Sequence, residues 1–140
     1  MTRIDFYFNV SNKPKLLVEL VQSALTKRRL VTIFTDNAED ASMISTSLWQ
    51  QDATSFMPNV LSSDELAAQT PVLIHYKENA LLQEDMLINL TKTQPSFFSR
   101  FTQLVELVGE DEQDKVAARS RYKFYRDRGY EIKHINHAQI

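Results

Sequence analysis

The chain of 140 residues contains no cysteine, only two glycines, and no excess of either charge. It also has no apolar run approaching the roughly 18 residues of a membrane span. Each absence excludes something. Without cysteine there is no disulfide, no thiolate metal site and no thiol nucleophile. The glycines are Gly109 and Gly129, and neither lies in the first strand-to-helix turn, "NVSNKPK". The GxGxxG fingerprint and the P-loop pattern are both missing, so backbone amides have no sterically open route to a phosphate of the usual kind. Sixteen Lys and Arg against eighteen Asp and Glu give a net charge of −2. That balance argues against coating by nucleic acid, which needs a basic footprint over much of the surface, so any anion binding must be local. The opening "MTRIDFYFNV" lacks a signal-peptide layout. A cytoplasmic protein with no membrane association is expected.

What is present is ordinary for a globular protein: 43% hydrophobic and 24% charged residues. The length suits one domain over residues 1–140 with a single core. "RIDFYFNV" alternates Ile4, Phe6 and Phe8 against Asp5 and Tyr7 and reads as a first strand. In "KPKLLVELVQSALTKRRL", Leu16, Leu17, Leu20, Val21, Ala24 and Leu25 recur at helical spacing, with Lys27, Arg28 and Arg29 suited to the helix C-terminus. "LVTIFT" is a β-branched run of the kind that fills a buried parallel strand. Asp36 or Asn37 can cap the next helix, "AEDASMISTSLWQ". This β-α-β-α order predicts an α/β fold: a mostly parallel central sheet flanked by helices.

Farther on, "TSFMPNV" reads as extended because Pro58 disfavours a helical Met57. "PVLIHY" and "DMLINLT" have strand length. "RFTQLVELV" has the spacing of a helix in Phe101, Leu104, Val105 and Val108, but its place before Gly109 favours a strand. "EDEQDKVAARSRYKFYRDR" is a final helix: Glu110, Asp111, Glu112 and Asp114 crowd its N-terminus and Gly129 can supply a left-handed C-cap. The tail "YEIKHINHAQI" shows no clear period.

Chemistry-bearing motifs are scarce. His134 and His137 have i, i+3 spacing, but without cysteine or an HExxH motif they read as solvated tail residues. His75 ends an apolar strand, where a core or rim histidine is the commoner outcome, and a catalytic base there lacks a nucleophile. The acidic cluster is explained by capping and the helix dipole. No cofactor or metal is called for.

The final helix is more informative. Its basic residues are Lys115, Arg119, Arg121, Lys123, Arg126 and Arg128, set among Tyr122, Phe124 and Tyr125. Lys115, Arg119, Tyr122 and Arg126 share one stripe, while Ala117, Ala118, Phe124 and Tyr125 should face the sheet. A stripe on the border of core and solvent can present arginine forks to carboxylates. It can equally be a solvated face whose stems cover apolar surface, or a grip for a single strand. A second candidate is the lone tryptophan, Trp49, followed by Phe56, Met57 and Pro58; these are interface anchors or a roof over the core.

Taken together, "DFYF", "SLWQ", "SFMPN", "INL" and above all "ARSRYKFYRDRGY" after an acidic helix start resemble the chi subunit family of bacterial DNA polymerase III. The resemblance covers nearly the whole chain. It implies an α/β domain related to nucleotide-binding folds without their phosphate loop, and no catalytic activity. It further implies a site for the acidic C-terminal tail of the single-stranded DNA-binding protein at Val108, Lys115, Arg119 and Tyr122, with Lys123 and Arg126 as neighbours. Trp49, Phe56 and Pro58 correspond to the surface for the psi subunit of the clamp loader, which in some bacteria serves a helicase-like protein. Contact with DNA would then be indirect. The alternative from the residues themselves is direct binding of single-stranded nucleic acid.

Overall fold

A computed structural model describes residues 2–50, 60–61, 72–75 and 85–136. In chain order these are β1 (Arg3–Val10), α1 (Lys13–Thr26), β2 (Val31–Phe34), α2 (Ala38–Gln50), β3 (Val60–Leu61), β4 (Val72–His75), β5 (Met86–Asn89), β6 (Gln103–Gly109), α3 (Glu112–Asp127) and β7 (Ile132–Asn136), with a short 3-10 turn at Phe98–Arg100. The seven strands form one sheet in the order β3-β4-β2-β5-β6-β1-β7, and every pair is parallel. The α/β expectation is met. The segments "TSFMPN" and "PNVLSSDELAAQT" fall wholly or largely outside the described residues. No helix among the described residues is long and apolar enough to cross a membrane.

Strand alternation sorts the core into two layers. Val31, Ile33, Val72, Ile74, Ile88, Val105 and Leu107 pack beneath Leu16, Leu17, Val21 and Ala24 of α1 and Ala41 of α2. On the opposite face Ile4, Phe6, Phe34, Leu87, Leu104 and Val108 meet Phe97, Phe98 and Phe101, with Ala118 and Tyr125 of α3. β2, β4 and β5 are buried on both faces, which is why they read as unbroken apolar runs. The same holds for β6: all seven of its residues are buried. Its mixed signal resolves to a strand, because a strand covered on both sides shows no period of two.

The helix ends show where local rules hold. Asn12 caps α1 by accepting from the Lys15 N–H at 3.1 Å, and Asn37 caps α2 by accepting from Asp40 N–H at 2.9 Å. α1 stops at Thr26, earlier than its basic run suggested. Arg28 turns left-handed at φ 59° and Arg29 folds back to Asp85, 2.7 Å away, and to Gln103. α3 ends as expected: Gly129 at φ 81° lets its own N–H reach Arg126 O and the Tyr130 N–H reach Tyr125 O, a Schellman pattern. The tail that showed no period is β7, paired with β1 from Ile4↔Ile132 to Phe8↔Asn136. As a half-exposed edge strand it has little need of apolar alternation.

One polar cluster crosses the α3 face of the core. Glu106 of β6, fully buried, accepts from Arg121 Nε at 3.1 Å, Tyr125 OH at 2.7 Å and Asn89 Nδ2 at 3.1–3.2 Å. Arg121 also donates to Lys92 O at 3.0 Å, tying down the loop after β5. Arg121, named above only among the basic residues of α3, is therefore a core residue, 2% exposed. Burial pushes the Glu106 carboxyl up, and Arg121, Tyr125 and Asn89 draw it back. Removing one partner would strand the other charge in the core. Arg121→Ala is expected to cost about 3–5 kcal/mol and Tyr125→Phe about 1–3 kcal/mol, measured by urea unfolding. Loss of under ~1 kcal/mol for Arg121→Ala would show that the pair does not hold α3.

Candidate functional site

On the same face of the sheet, α3 stands away from the end of β1 and leaves an open groove of about 460 Å³. Phe6, Phe8 and Asn9 of β1, Val108 of β6 and Ala118 and Tyr122 of α3 line it, with His134 of β7. Lys115, Arg119, Lys123 and Arg126 complete the wall. The floor is apolar, because Phe6, Phe8 and Val108 each point to this side of their strands. The rim is cationic, because successive turns of α3 place a Lys or Arg there. Tyr122 joins the two parts. Its ring stands edge-on to Phe6 at 5.8 Å, lies 5.1 Å from the His134 ring, and carries the Arg126 guanidinium 5.9 Å from its centroid.

Several local features shape this groove. The β1–β6 pairing shifts register between Tyr7 and Val10, and Asn9 takes a left-handed φ of 58°. Asn9 then donates to the side chain of Asn136 at 3.2 Å, closing the end of the groove against β7. At the same edge of the sheet, where Gly109 pairs with Val10, the Gly109 N–H donates to Asp114 Oδ2 at 2.6 Å. A Cβ on Gly109 would lie 3.1 Å from that oxygen and 3.3 Å from Lys13 Cε, so a side chain there would make Asp114 and Lys13 give by a few tenths of an ångström. Asp114 also pairs with Lys13 of α1. The acidic start of α3 is thus partly structural. Asp111 occupies the N-cap position but makes no side-chain capping bond, and Asp114 in the first turn links three elements.

Charge at the rim is only loosely committed. Arg119 faces Glu112 at 3.7 Å with both side chains exposed, and Arg126 faces Asp127 at 3.5 Å, also exposed. Such pairs are worth well under ~1 kcal/mol in water, so an incoming carboxylate can displace them. Among the described residues no ion pair holds Lys115 or Lys123. The groove can therefore accept a small anionic group beside an apolar one.

All six residues named for the tail site, Val108, Lys115, Arg119, Tyr122, Lys123 and Arg126, line this single groove. Five further lining residues went unnamed there: Phe6, Phe8, Asn9, Ala118 and His134. The alternation of β1 already put Phe6 and Phe8 on one side, and Ala118 was assigned to the sheet-facing side of α3. His134 needed the β7 pairing, which no pattern announced. Of the second candidate, Trp49 lies on α2 by its backbone, while Phe56 and Pro58 are outside the described residues. His75 is 1% exposed at the end of β4, neither ring nitrogen has a hydrogen-bond partner among the described residues, and burial lowers its pKa. It is a core histidine, away from the groove. No cluster of potential metal ligands occurs among the described residues.

A sequence model of the family described as "DNA polymerase III chi subunit, HolC" matches residues 1–133. The chain is similar to the DNA polymerase III subunit chi of Pseudomonas aeruginosa, 32% identical over 94% of each chain. It is also similar to that of Haemophilus influenzae, 33% identical over 84% of this chain and 83% of the relative. The subunit from Escherichia coli is 28% identical over 84% and 81%. Among solved structures, the C-terminal domain of Dbp5 from S. cerevisiae superposes with a TM-score of 0.64 at 12% identity, covering 97% of this chain and 90% of that one. At that identity the likeness shows the fold alone, and it fits the relation to nucleotide-binding folds.

The Asp114 link carries a pH dependence. Burial pushes its carboxyl up, but the Lys13 ammonium and the Gly109 N–H outweigh this and hold it below the ordinary 3.8. A depressed carboxyl stabilises the fold above its unfolded pKa, and that contribution is lost as pH falls through the folded value. Asp114→Asn is expected to lower stability at neutral pH and to flatten its fall below about pH 4. Thermal melts across the acid range check this, and an unchanged acid limb would remove Asp114 from the link.

Proposed function

The chain belongs to the DNA polymerase III chi subunit family, and from that membership we propose that it acts as a non-catalytic bridge in the replicative holoenzyme. One end of the bridge is the groove, which takes the acidic C-terminal tail of the single-stranded DNA-binding protein. The other is the surface around Trp49, Phe56 and Pro58, which takes the psi subunit of the clamp loader or, in its place, a helicase-like protein. Contact with DNA is then indirect.

The observation that carries this reading is the pairing of an apolar floor with four cations in one groove. A tail ending in phenylalanine matches both halves. Burying its ring against Phe6, Phe8 and Val108 is worth about 1.5–3 kcal/mol. The terminal carboxylate and nearby aspartates meet Lys115, Arg119, Lys123 and Arg126, with Arg forks suited to bidentate contact. Exposed cations contribute modestly, and salt screens them, so the ring supplies much of the affinity and the charges select the ligand. Affinity of this kind is weak for one contact. Joined to a second contact in the same assembly, it raises the local concentration of polymerase on coated template without any chemistry.

A polynucleotide fits less well. It needs a basic track several nucleotides long with successive stacking platforms, whereas here the cations rim one compact hollow.

Fluorescence anisotropy of a labelled acidic peptide ending in phenylalanine tests the reading at two salt concentrations, beside its C-terminally amidated form and a single-stranded oligonucleotide. The free acid is expected to bind, more weakly at high salt, and amidation to cost about tenfold. Arg119→Ala should weaken binding about fivefold, the scale of one exposed charge contact, with folding intact. Tighter binding of the oligonucleotide would replace the bridge with a nucleic-acid-binding domain.

A further inference from the structure

His134 occupies a place that no cation of α3 can fill. It projects from the edge strand β7 into the groove, on the wall opposite the helix, with its ring 5.1 Å from that of Tyr122. It is exposed, so its charge can change without breaking the core. Resting on the reading of the groove as an acidic-peptide site, we infer that His134 is a further ligand-binding residue that makes recognition of the peptide carboxylate depend on pH near neutrality.

Tyr122 of α3 faces His134 directly, and the cations Lys115, Arg119, Lys123 and Arg126 line the same groove. From β1 come Phe6, Phe8 and Asn9, which carry no charge. On β7 itself, Asn136 lies on the same face and is bonded to Asn9, while Lys133 alternates to the other face. Among the described residues no carboxylate lines the groove; the acidic partners of its rim are Asp127, 3.5 Å from Arg126, and Glu112, 3.7 Å from Arg119. When a carboxylate enters the groove, a proton on His134 gains an opposite charge at contact distance.

Proton uptake and peptide binding are thus linked, and the linkage is reciprocal: what favours one favours the other. Histidine is the side chain whose charge changes between about pH 5 and 8, whereas the peptide carboxylates stay ionised throughout that range. Among the described residues that line the groove, His134 is the one histidine.

The test uses the full chain and an N-acetylated acidic peptide ending in a free-acid phenylalanine, with affinities measured at about pH 6 and about pH 8 at constant ionic strength. Affinity is expected to rise about fivefold toward the lower pH, the change produced when a bound carboxylate shifts an imidazole by about one unit. His134→Gln should abolish the rise. His134→Lys, which keeps a cation at both pH values, should bind as tightly at about pH 8 as at about pH 6. Thermal melts confirm that both variants fold. A flat response in the wild type, or a rise that survives in His134→Gln, overturns the inference while leaving the groove as the peptide site. Absence of peptide binding at both pH values overturns the groove reading and His134's role with it.

Discussion

The interaction on which the rest depends is the buried contact between Glu106 and Arg121. A carboxylate with no exposed surface in the middle of a parallel sheet is costly unless its oxygens are fully occupied. Here Arg121, Tyr125 and Asn89 occupy them, and two of those three donors come from α3. The helix is consequently fixed in rotation as well as in position. Turning α3 by one residue, about 100°, would carry Arg121 and Tyr125 away from Glu106. The rotation that satisfies Glu106 is the same one that sends Lys115, Arg119, Tyr122 and Arg126 to the border of sheet and solvent. A stability device in the core thereby sets the geometry of a surface groove.

That arrangement separates two duties often confused in a basic helix. Arg121 serves the fold, while its neighbours Arg119, Tyr122 and Lys123 serve the groove. The apolar floor comes from strands, which are rigid, and the cations come from long side chains, which can adapt. A ligand with one ring and several carboxylates meets a fixed pocket and a mobile fringe. Such a contact discriminates by chemistry rather than by area, as the proposed tether requires. The fold is shared with nucleotide-binding domains, yet the turn after β1 is shaped by Asn12 and Pro14 rather than glycine, and the groove lies beneath α3 on the opposite sheet face from α1.

Much of this was legible in the sequence, and the exceptions share a cause. β1, β2, α1, α2 and α3 announced themselves because each has one face or one run that must be buried. β6 gave a mixed signal because its seven residues are all covered, so no polar position marks the period. β7 gave none because it needs only one partner, β1, and leaves its other side outward. Composition did not separate Arg121 from Arg119; helical spacing sets Arg121 between Ala118 and Tyr125 on the buried face, and Glu106 of β6 is the partner that holds it there. For the groove, the stripe on α3 was readable from helical spacing and the resemblance added Val108. His134 and Asn9 required tertiary pairing, through β7 and through the irregular end of β1, and neither leaves a local signature.

The central claim is that one groove, bounded by α3, β1 and β7, receives the acidic peptide. The most direct measurement is an NMR titration of isotope-labelled protein with that peptide, following backbone amides and the His134 ring. The account predicts saturable shifts concentrated at Val108, Lys115, Arg119, Tyr122, Lys123 and His134, with the α1 face around Arg3, Lys27 and Arg29 unmoved. Shifts centred on the α1 face, or spread evenly over the exposed cations, would contradict it.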